Sequence, residues 1–309
     1  MPADDEESWV IRLLAPPVAA LPPEVRVGIG DDCAVLRDGR VITVDTMVEG
    51  VHWDARSAAA DVGAKLAFVN ASDVAACGAV PTLALLSLSL PDPVDRAWVL
   101  GFAEGLREGL AACGAALIGG DTTRSAGGVV VSLTMIGQLQ AEPLLRQNAQ
   151  VGEDLWVSGT LGDASLGFAS SAPGGLRALR RPSPPLRLGP ALAERALSRA
   201  AMDLSDGLAT DLPRLCAAAG VGAEVWPEAL PASDELRAAA PDPIPHQVGF
   251  GDDYQLVFTA PPARHDDLLA LGADLGLRLS KIGRVTQGPE VTLRGRPWPL
   301  SWQHFPGPQ

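Results

Sequence analysis

The hydrophobic and polar positions in the first half of the chain follow two different periods. Short apolar runs typical of buried strands lie at Val41–Val44, Thr82–Leu90 and Val129–Ile136, and longer runs typical of helices lie at Ala58–Val69 and Val94–Cys113. In the second helical run, apolar residues recur every four positions at Trp98, Phe102, Leu106 and Leu110. This spacing predicts one apolar stripe that packs against a sheet as part of the core.

The second half repeats this alternation after a polar, irregular stretch over Gln138–Glu153. Strands are predicted at Leu155–Ser158, Ala201–Leu204, Tyr254–Thr259 and Leu279–Val285, with a helix at Ala191–Ala200 and a Pro- and Arg-rich loop over Pro173–Pro190. We therefore predict a mixed α/β protein with two domains, residues 1–140 and residues 141–309.

Composition and charge narrow the class of protein. The 309 residues are 47% hydrophobic and 20% charged, which is an ordinary globular balance for two domains. A formal charge of −13 argues against nucleic acid as a partner, because phosphate backbones attract a surplus of Lys and Arg. The uncharged stretch Val74–Pro91 is broken by Gly78 and Pro81, so no membrane span is expected. The acidic opening residues do not resemble a signal peptide, and four scattered cysteines suit a reducing cytoplasm.

Aspartates stand where apolar runs meet Gly, Ser or Thr. They are Asp31 and Asp32 in GIGDDCAVL, Asp45 in TVDT, Asp73 in NASD, Asp121 in GGDTT, and Asp203 and Asp206 in MDLSDG. Any one of these motifs is explained by a turn or a helix cap alone. Together they favour a site for several Mg²⁺ ions, which prefer oxygen ligands and suit phosphoryl transfer. The Ser-Asp pairs at Ser72-Asp73 and Ser205-Asp206 form a weak internal echo, which would place two turns across one cleft.

The usual nucleotide-binding signatures are missing from the chain. Neither Lys65 nor Lys281 follows a glycine as a Walker A lysine does, and no histidine precedes Arg-Asp as in the protein-kinase catalytic loop. A nucleotide would then be held by metal and arginine, and Arg146 is the candidate, although a surface arginine is the alternative. His52 either orients a substrate phosphate or ends a strand. Trp302 either stacks on a substrate ring or anchors the C-terminus.

In order along the chain, the segments GIGDDCAVL, TVDTMVEGVHW, NASDVAACGAVP, LIGGDTTRS, MDLSDGLATDL, GDDYQLVF and SWQHF resemble the thiamine-monophosphate kinase family. This family belongs to the aminoimidazole-ribonucleotide-synthetase-like superfamily. The resemblance implies an N-terminal domain that binds ATP and metal and pairs with its copy in a homodimer, followed by a C-terminal α/β domain. It also implies ATP-dependent phosphorylation of thiamine monophosphate to thiamine diphosphate.

The resemblance also implies roles for individual residues. The metal-binding positions fall on Asp32, Thr43, Val44 through its backbone, Asp45, Asp73, Asp121, Asp203 and Asp206. The nucleotide positions fall on Gly120, Arg146 and Ser205, and the thiamine monophosphate positions fall on His52, Asp252 and Trp302. Asp121, Asp206 and Asp45 are the expected catalytic residues. No side-chain base is expected, because the attacking phosphate oxygen is already an anion.

The chain departs from the family where the usual GGEDYEL reads GFGDDYQL, so that Asp252 replaces a longer glutamate and Gln255 lacks a charge. Other acceptors within the superfamily, as in an amidine-forming synthetase or a selenophosphate-forming enzyme, would share the ATP and metal motifs. The latter needs a reactive cysteine near the N-terminus, and none precedes Cys33. A maturation protein acting through a C-terminal cysteine does not fit the ending FPGPQ. The alternative from another class is a non-catalytic module whose acidic turns bind metal for stability.

Overall fold

Two six-stranded sheets, one in each half of the chain, form the framework. The structure, a computed structural model, describes residues 6–15, 21–170 and 172–298. The first sheet has the spatial order β1-β2-β3-β6-β4-β5 and is antiparallel except between β4 and β5. Its strands are β1 (Val25–Val27), β2 (Ala34–Leu36), β3 (Arg40–Val48), β4 (Ala79–Leu90), β5 (Ala116–Arg124) and β6 (Val130–Leu139).

The helices of the first half are α1 (Glu6–Leu14), α2 (Ala59–Ala76) and α3 (Arg96–Cys113). Helix α2 lies between the sheet and α3 and is buried along most of its length. The stripe on α3 is buried as predicted at Phe102, Leu106 and Leu110, but its main partner is α2 rather than the sheet. Glycine makes this possible: a Cβ at Gly105 would lie 1.8 Å from the carbonyl oxygen of Ala60. The short side chains let the two helix backbones approach closely.

The second sheet has the spatial order β12-β9-β11-β7-β10-β8. Its strands are β7 (Asp154–Ser158), β8 (Ala200–Asp203), β9 (Gly222–Val225), β10 (Leu256–Ala260), β11 (Leu279–Thr286) and β12 (Val291–Leu293). Leu155 and Val157 belong to one hydrophobic cluster, whereas Trp156 between them belongs to another. Because successive side chains of a strand point to opposite faces, this sheet is covered on both faces.

The described residues of the second half form seven helices, and two of them correct the prediction for Pro173–Pro190. They are α4 (Asp163–Ala169), α5 (Pro173–Arg180), α6 (Leu188–Glu194), α7 (Leu208–Ala219), α8 (Asp234–Ala239), α9 (Ile244–Gly249) and α10 (His265–Leu275). The segment predicted as a loop contains α5 and the start of α6. Pro173 and Pro190 lie in first turns, where a helix has no partner for the backbone N–H that proline lacks. Helix α6 ends at Glu194, and Ala200 already belongs to β8.

The two halves of the described chain thus carry separate sheets and a mixed arrangement of strands and helices, which confirms the predicted fold class. The face of the first sheet opposite α2 is open, with Val44 among its exposed side chains. Strand β5 lies at the edge of this sheet, and all nine of its residues are exposed. Among the residues described, no helix is both long and apolar enough to cross a membrane.

Candidate active site

Three aspartates from distant parts of the sequence meet where the two halves touch. Asp32 lies in the turn before β2, Asp73 lies in the C-terminal half of α2, and Asp203 ends β8. One carboxylate oxygen of each lies within 4.8 Å of the others. Two charges about 5 Å apart repel by about 3 kcal/mol at an effective dielectric constant of about 20. Such a cluster, if ionised, needs positive charge beside it.

The two segments that form the internal echo, residues 70–73 and 203–206, each contribute an aspartate to the cluster, but they are not two equivalent turns. Asp73 lies within α2, whereas Asp203 precedes the turn that contains Ser205 and Asp206. The helix presents Asp73 to the end of β8, and Thr43 on β3 holds it by donating its hydroxyl to Asp73 Oδ2 at 2.6 Å. The cluster is thus built from a turn and a helix of the first half and a strand of the second.

Burial and mutual repulsion raise the pKa values of these carboxyl groups. Desolvation is the largest cause of the raised pKa of Asp32, Asp73 and Asp203, and neighbouring carboxylates raise the pKa of Asp73 and Asp203 further. The pKa of Asp45 rises to about 6 through burial and the nearby charges of Asp206 and Asp32. The cluster therefore resists holding its full negative charge without a bound cation.

Arg146 supplies one cation to the cluster. It follows β6 in a single turn of 3-10 helix, and its guanidinium forms a salt bridge with Asp32 while its backbone N–H donates to Asp31 Oδ2 at 3.0 Å. Burial alone would lower the pKa of Arg146, but the charge of Asp32 raises it above its ordinary value. Nε of Arg146 is buried and has no hydrogen-bond partner among the described residues.

A second acidic group lies at the start of α7. The backbone N–H of Asp206 donates to Asp211 Oδ2 at 2.9 Å, and Arg214 Nη1 lies 2.5 Å from Asp206 Oδ2 and 3.3 Å from Asp211 Oδ1. Burial and the adjacent Asp206 raise the pKa of Asp211 to about 8. Asp206 therefore lies between an arginine and a buried carboxyl group.

A cavity of about 700 Å³ opens beside these aspartates, between the two halves of the chain. Its lining includes the polar side chains of Asp45, Asp206 and Ser205 as well as the apolar side chains of Phe168 and Phe250, whose ring centroids are 5.2 Å apart. The structure places His52 and Asp252 in this lining as well. A molecule that combines a phosphate group with rings suits a lining that contains both polar and apolar groups.

His52 and Asp252 reach the cavity from opposite halves. His52 follows β3, and its Nδ1 accepts the backbone N–H of Val48 at 3.0 Å. Asp252 lies in the loop before β10 and forms a salt bridge with Lys65 of α2, with Nζ 2.9 Å from Oδ1. The predicted substrate residue Trp302 lies outside the described residues, so its position stays a prediction.

Asp121 and Gly120 lie on β5, and the strand register separates Asp121 from Asp45. Asp45 pairs with Leu133, Leu133 with Leu86, and Leu86 with Gly120, whereas Asp121 pairs with Ser87 in the next row. Because neighbouring rows of a sheet point to opposite faces, Asp121 faces the open side and Asp45 faces α2. Within one chain the structure does not bring Asp121 to the other aspartates.

Three further residues of the site were not found from the sequence. Asn70 of α2 is buried, and its Oδ1 accepts the backbone N–H of Asp45 at 3.0 Å. Asp211 and Lys65 are also buried helical residues. Asp211, five residues after Asp206 in DLSDGLATDL, carried a usable signal, because an acidic residue in the first turn of a helix faces its unpaired N–H groups. Asn70 is the first residue of NASD but was not singled out there, and Lys65 belongs to none of the motifs.

The donor set suits a hard divalent cation. Oδ2 of Asp32 and Oδ2 of Asp203 are buried and have no hydrogen-bond partner among the described residues. Leaving charged oxygens buried and unpaired costs several kcal/mol per ion, so the arrangement favours a ligand that supplies positive charge. Carboxylate oxygens from three separate elements are the ligands that such a cation prefers.

Comparison with known protein families first gives the class. Residues 30–139 match the profile described as AIR synthase related protein, N-terminal domain, and residues 150–296 match the corresponding C-terminal domain. The two matches contain every strand of the two sheets except β1, and they contain the three clustered aspartates. Fold and site therefore define a two-domain protein of the AIR synthase related class.

Individual relatives show which family within this class the chain belongs to. The thiamine-monophosphate kinase of Escherichia coli strain K12 is 37% identical over 310 residues, which cover 92% of this chain and 94% of the relative. A crystal structure of thiamine-monophosphate kinase from Stenotrophomonas maltophilia K279a is 37% identical, with a TM-score of 0.77, and the match covers 95% of this chain and 97% of that one. The chain belongs to the thiamine-monophosphate kinase family, as its motifs predicted.

A third similar structure carries ligands in its description, "AaThiL complexed with AMPPCP and TMP". It is 31% identical and has a TM-score of 0.82, and the match covers 90% of this chain and 92% of that one.

Proposed function

We propose that this chain transfers the γ-phosphoryl group of ATP to the phosphate of thiamine monophosphate, forming thiamine diphosphate. The observation that carries the proposal is the acidic cluster of Asp32, Asp73 and Asp203, together with a cavity that both polar and apolar side chains line. Membership of the thiamine-monophosphate kinase family supplies the identity of the acceptor. The solved relative described with AMPPCP and TMP supports both substrates.

We propose Mg²⁺ as the cation of the acidic cluster, with several ions bound. Asp32, Asp73 and Asp203 would hold it, with Asp45, Asp206, Thr43 and the backbone of Val44 as further ligands around the same junction. Bound there, Mg²⁺ would neutralise the charge that develops on the transferred phosphoryl group. The buried Oδ2 atoms of Asp32 and Asp203, which have no hydrogen-bond partner in the part of the chain that the structure describes, support this assignment.

The residues of the chain position the reactants rather than move protons. Arg146 has a buried guanidinium with an unpaired Nε, which fits a nucleotide phosphate oxygen, and Ser205 and Gly120 are the other proposed nucleotide contacts. His52, Asp252 and Trp302 are the proposed contacts of thiamine monophosphate. The attacking phosphate oxygen is anionic at neutral pH, so the reaction requires no general base.

We also propose that the chain acts as a homodimer in the cytoplasm. The N-terminal domain, residues 1–140, would carry the ATP and metal sites and the dimer contact, and residues 141–309 would form the C-terminal domain. Strand β5 is an exposed edge strand with apolar side chains at Leu117 and Ile118, a surface that favours pairing with another chain. The buried free thiols of Cys33, Cys77, Cys113 and Cys216 suit a reducing compartment.

A homodimer would also give Asp121 a place in the active site. Asp121 lies on the exposed edge strand and on the opposite face of the sheet from Asp45. A second copy that pairs along β5 would bring its own carboxylates to Asp121, whereas the acidic cluster of the same chain does not reach this residue. We therefore propose that Asp121, like Asp45 and Asp206, is a catalytic metal ligand.

The proposal is tested by incubating the purified chain with Mg²⁺, ATP and thiamine monophosphate and detecting thiamine diphosphate as fluorescent thiochrome after chromatography. We expect product in the complete mixture and none when EDTA replaces Mg²⁺ or when thiamine monophosphate is omitted. Stabilisation by ATP without product would point to another acceptor of the same class. Stabilisation by metal alone, with no effect of ATP, would favour a structural module.

A further inference from the structure

The loop that precedes β10 carries unusual backbone geometry at the cavity. Two of its non-glycine residues have positive φ, Asp252 at 66° and Tyr254 at 47°. Side chains rarely adopt this left-handed region, and residues held there cost about 1–3 kcal/mol each unless the surroundings fix them. Both residues line the cavity. Because such a backbone conformation persists only where its surroundings fix it, contacts with the rest of the protein must hold this loop in place.

Contacts within the C-terminal half hold the backbone of this loop. The backbone N–H of Asp252 donates to Ser205 O at 2.8 Å, and that of Tyr254 donates to Leu204 O at 2.9 Å. Asp253 accepts the backbone N–H of Gly162 with both carboxylate oxygens at 3.0 Å. The loop is therefore attached to the turn that contains Ser205 and Asp206.

Lys65 is the charged contact that reaches the loop from the N-terminal half. It lies in the middle of α2, and only 4% of the residue is exposed. Its Nζ lies 2.9 Å from Asp252 Oδ1. Asp61, Lys65 and Val69 all line the cavity, and Asp73 lies one further turn along the same helix. Residues four apart lie on one face of a helix, so this face leads from the cavity to the acidic cluster.

The pairing determines what Asp252 offers to the cavity. Lys65 engages Oδ1 of this carboxylate, and no described residue forms a hydrogen bond with Oδ2. Oδ2 can therefore contact a bound molecule while Lys65 partly compensates the charge of the group. An aspartate in this position without Lys65 would carry an unpaired charge on a strained backbone. The ammonium of Lys65 therefore has a role in orienting this carboxylate, besides any contribution to stability.

We infer that Lys65 is a positioning residue for the phosphorylated acceptor, fixing Asp252 and its strained loop across the junction of the two halves. The inference rests on the proposed function, because it assigns Asp252 to the acceptor rather than to the nucleotide. Its ligand chemistry is a phosphate monoester that carries a cationic heteroaromatic ring, and a carboxylate with one available oxygen can contact the amino group or the positive charge of such a ring.

The other lysine of the chain provides a matched control. Lys281 pairs with Asp154, with Nζ 2.7 Å from Oδ1, and neither residue lines the cavity. A Lys-to-Met change at either position removes one lysine–aspartate salt bridge from the protein. Lys281→Met thus reports the general cost of losing such a pair, and Lys65→Met reports that cost together with any effect on the acceptor.

The test is a steady-state comparison of wild type, Lys65→Met, Lys65→Arg, Asp252→Asn and Lys281→Met, with each substrate varied in turn. We expect Lys65→Met to raise the KM for thiamine monophosphate by about tenfold or more and the KM for ATP by less than about twofold. Lys65→Arg should recover part of this loss because it keeps the charge. Lys281→Met should leave both KM values near those of wild type, even if its thermal stability falls.

The double variant Lys65→Met, Asp252→Asn separates positioning from general damage. If Lys65 acts through Asp252, the double variant should be no worse than the poorer single variant, because the two changes remove one interaction. Equal rises in both KM values, or fully additive losses in the double variant, would overturn the inference. If Lys65→Met does not fold, Asp252→Asn tests the other partner of the same salt bridge, and it should also raise the KM for thiamine monophosphate more than the KM for ATP, with Lys65→Arg between it and wild type. Absence of product from wild type would instead overturn the proposed function.

Discussion

Individual aspartates in this protein differ mainly in what surrounds them. Asp32 is paired with Arg146, Asp73 accepts a hydroxyl hydrogen bond from Thr43, and Asp203 has a buried oxygen without a partner among the described residues. Their raised pKa values have a common first cause, which is burial. Burial of these three carboxyl groups thus lowers the stability of the fold, and the same groups can bind a cation.

Replacing Asp203 by asparagine tests this balance. Asp203→Asn removes one buried charge while keeping the side-chain shape, so we expect the protein without metal to be as stable as wild type or more stable. Its stabilisation by Mg²⁺ should be largely lost, and turnover should fall by about a hundredfold or more, as when a metal ligand is removed. Thermal denaturation with and without Mg²⁺ measures the first effect, and the thiochrome assay measures the second.

Asp154→Asn is the control for that experiment. Asp154 is also buried but pairs with Lys281 away from the cavity, so its replacement should lower stability and spare turnover. Turnover near wild type in Asp203→Asn would contradict the assignment of Asp203 to the metal site.

The sequence identified residues of the site better than it identified their partners. The motifs around Asp32, Asp73 and Asp203 were recognisable because each combines an acid with Gly or Ser in a short segment. That these three aspartates lie close together depends on how a helix of one half packs against a strand of the other. No local sequence pattern encodes this packing. Lys65 and Asn70 lie on the buried surface of α2, where a polar residue gives no periodic signal.

At the scale of elements, α2 connects the core to the site. It packs against the first sheet on one side and α3 on the other, and its polar residues Lys65 and Asp73 face the junction between the two halves. The apolar periodicity predicted both helices, but not their close contact, because the glycines that permit it were not part of the periodic pattern. Pro173 was likewise interpreted as a loop residue although proline is common at the first position of a helix.

The contact between α2 and α3 can be tested at Gly105. A Cβ there would lie 1.8 Å from Ala60 O, which is backbone and cannot move aside easily. We expect Gly105→Ala to lower the free energy of unfolding by about 2 kcal/mol or more. The matched change Gly127→Ala, where nothing lies within 4 Å of the added atom, should alter it by less than about 0.5 kcal/mol. Urea denaturation of both variants distinguishes these outcomes, and equal stability would show that the helices can separate at no cost.

The exposed strand β5 makes a prediction about assembly. If two copies pair along this edge, a charge at Ile118, whose residue is 56% exposed, should disfavour the contact. We expect wild type to elute as a dimer and Ile118→Glu as a folded monomer in size-exclusion chromatography with light scattering. Leu269→Glu, an equally drastic change at an exposed position of α10, should remain dimeric. A monomeric wild type would refute the proposed homodimer.

The position of Asp121 on the same strand could not be predicted from the sequence. GGDTT was grouped with the other acidic motifs because of its composition. The face on which Asp121 lies depends on the register between β4 and β5, which shifts at an irregularity between Ala84 and Leu85. A change of one residue in register moves a side chain to the other face of a sheet, so composition alone could not assign Asp121 to either face.

For the whole molecule, the clustered carboxyl groups make stability depend on pH. The folded-state pKa is raised to about 7 at Asp31, chiefly by burial and next by Asp32, and to about 6 at Asp45 by burial and the charges of Asp206 and Asp32. The corresponding pKa in an unfolded chain is about 3.9. Between these values the folded protein binds more protons than the unfolded chain, so stability decreases as pH rises.

We therefore expect the melting temperature of the metal-free protein, measured in EDTA, to rise as pH is lowered from about 8 to about 5.5. Saturating Mg²⁺ should reduce or reverse this slope, because the cation favours the ionised carboxylates. Differential scanning fluorimetry across this range, with and without Mg²⁺, gives both curves. A metal-free melting temperature that falls steadily with decreasing pH would contradict the raised pKa values.

The most direct test of the account follows the transferred phosphoryl group itself. ATP labelled at the γ-phosphorus is mixed with excess enzyme, thiamine monophosphate and Mg²⁺, the reaction is quenched during a single turnover, and the labelled products are separated. The account predicts that wild type places the label in thiamine diphosphate, and that Asp73→Asn, folded to the same extent, transfers it at least about a hundredfold more slowly. Label released only as inorganic phosphate, or equal transfer by Asp73→Asn, would contradict it.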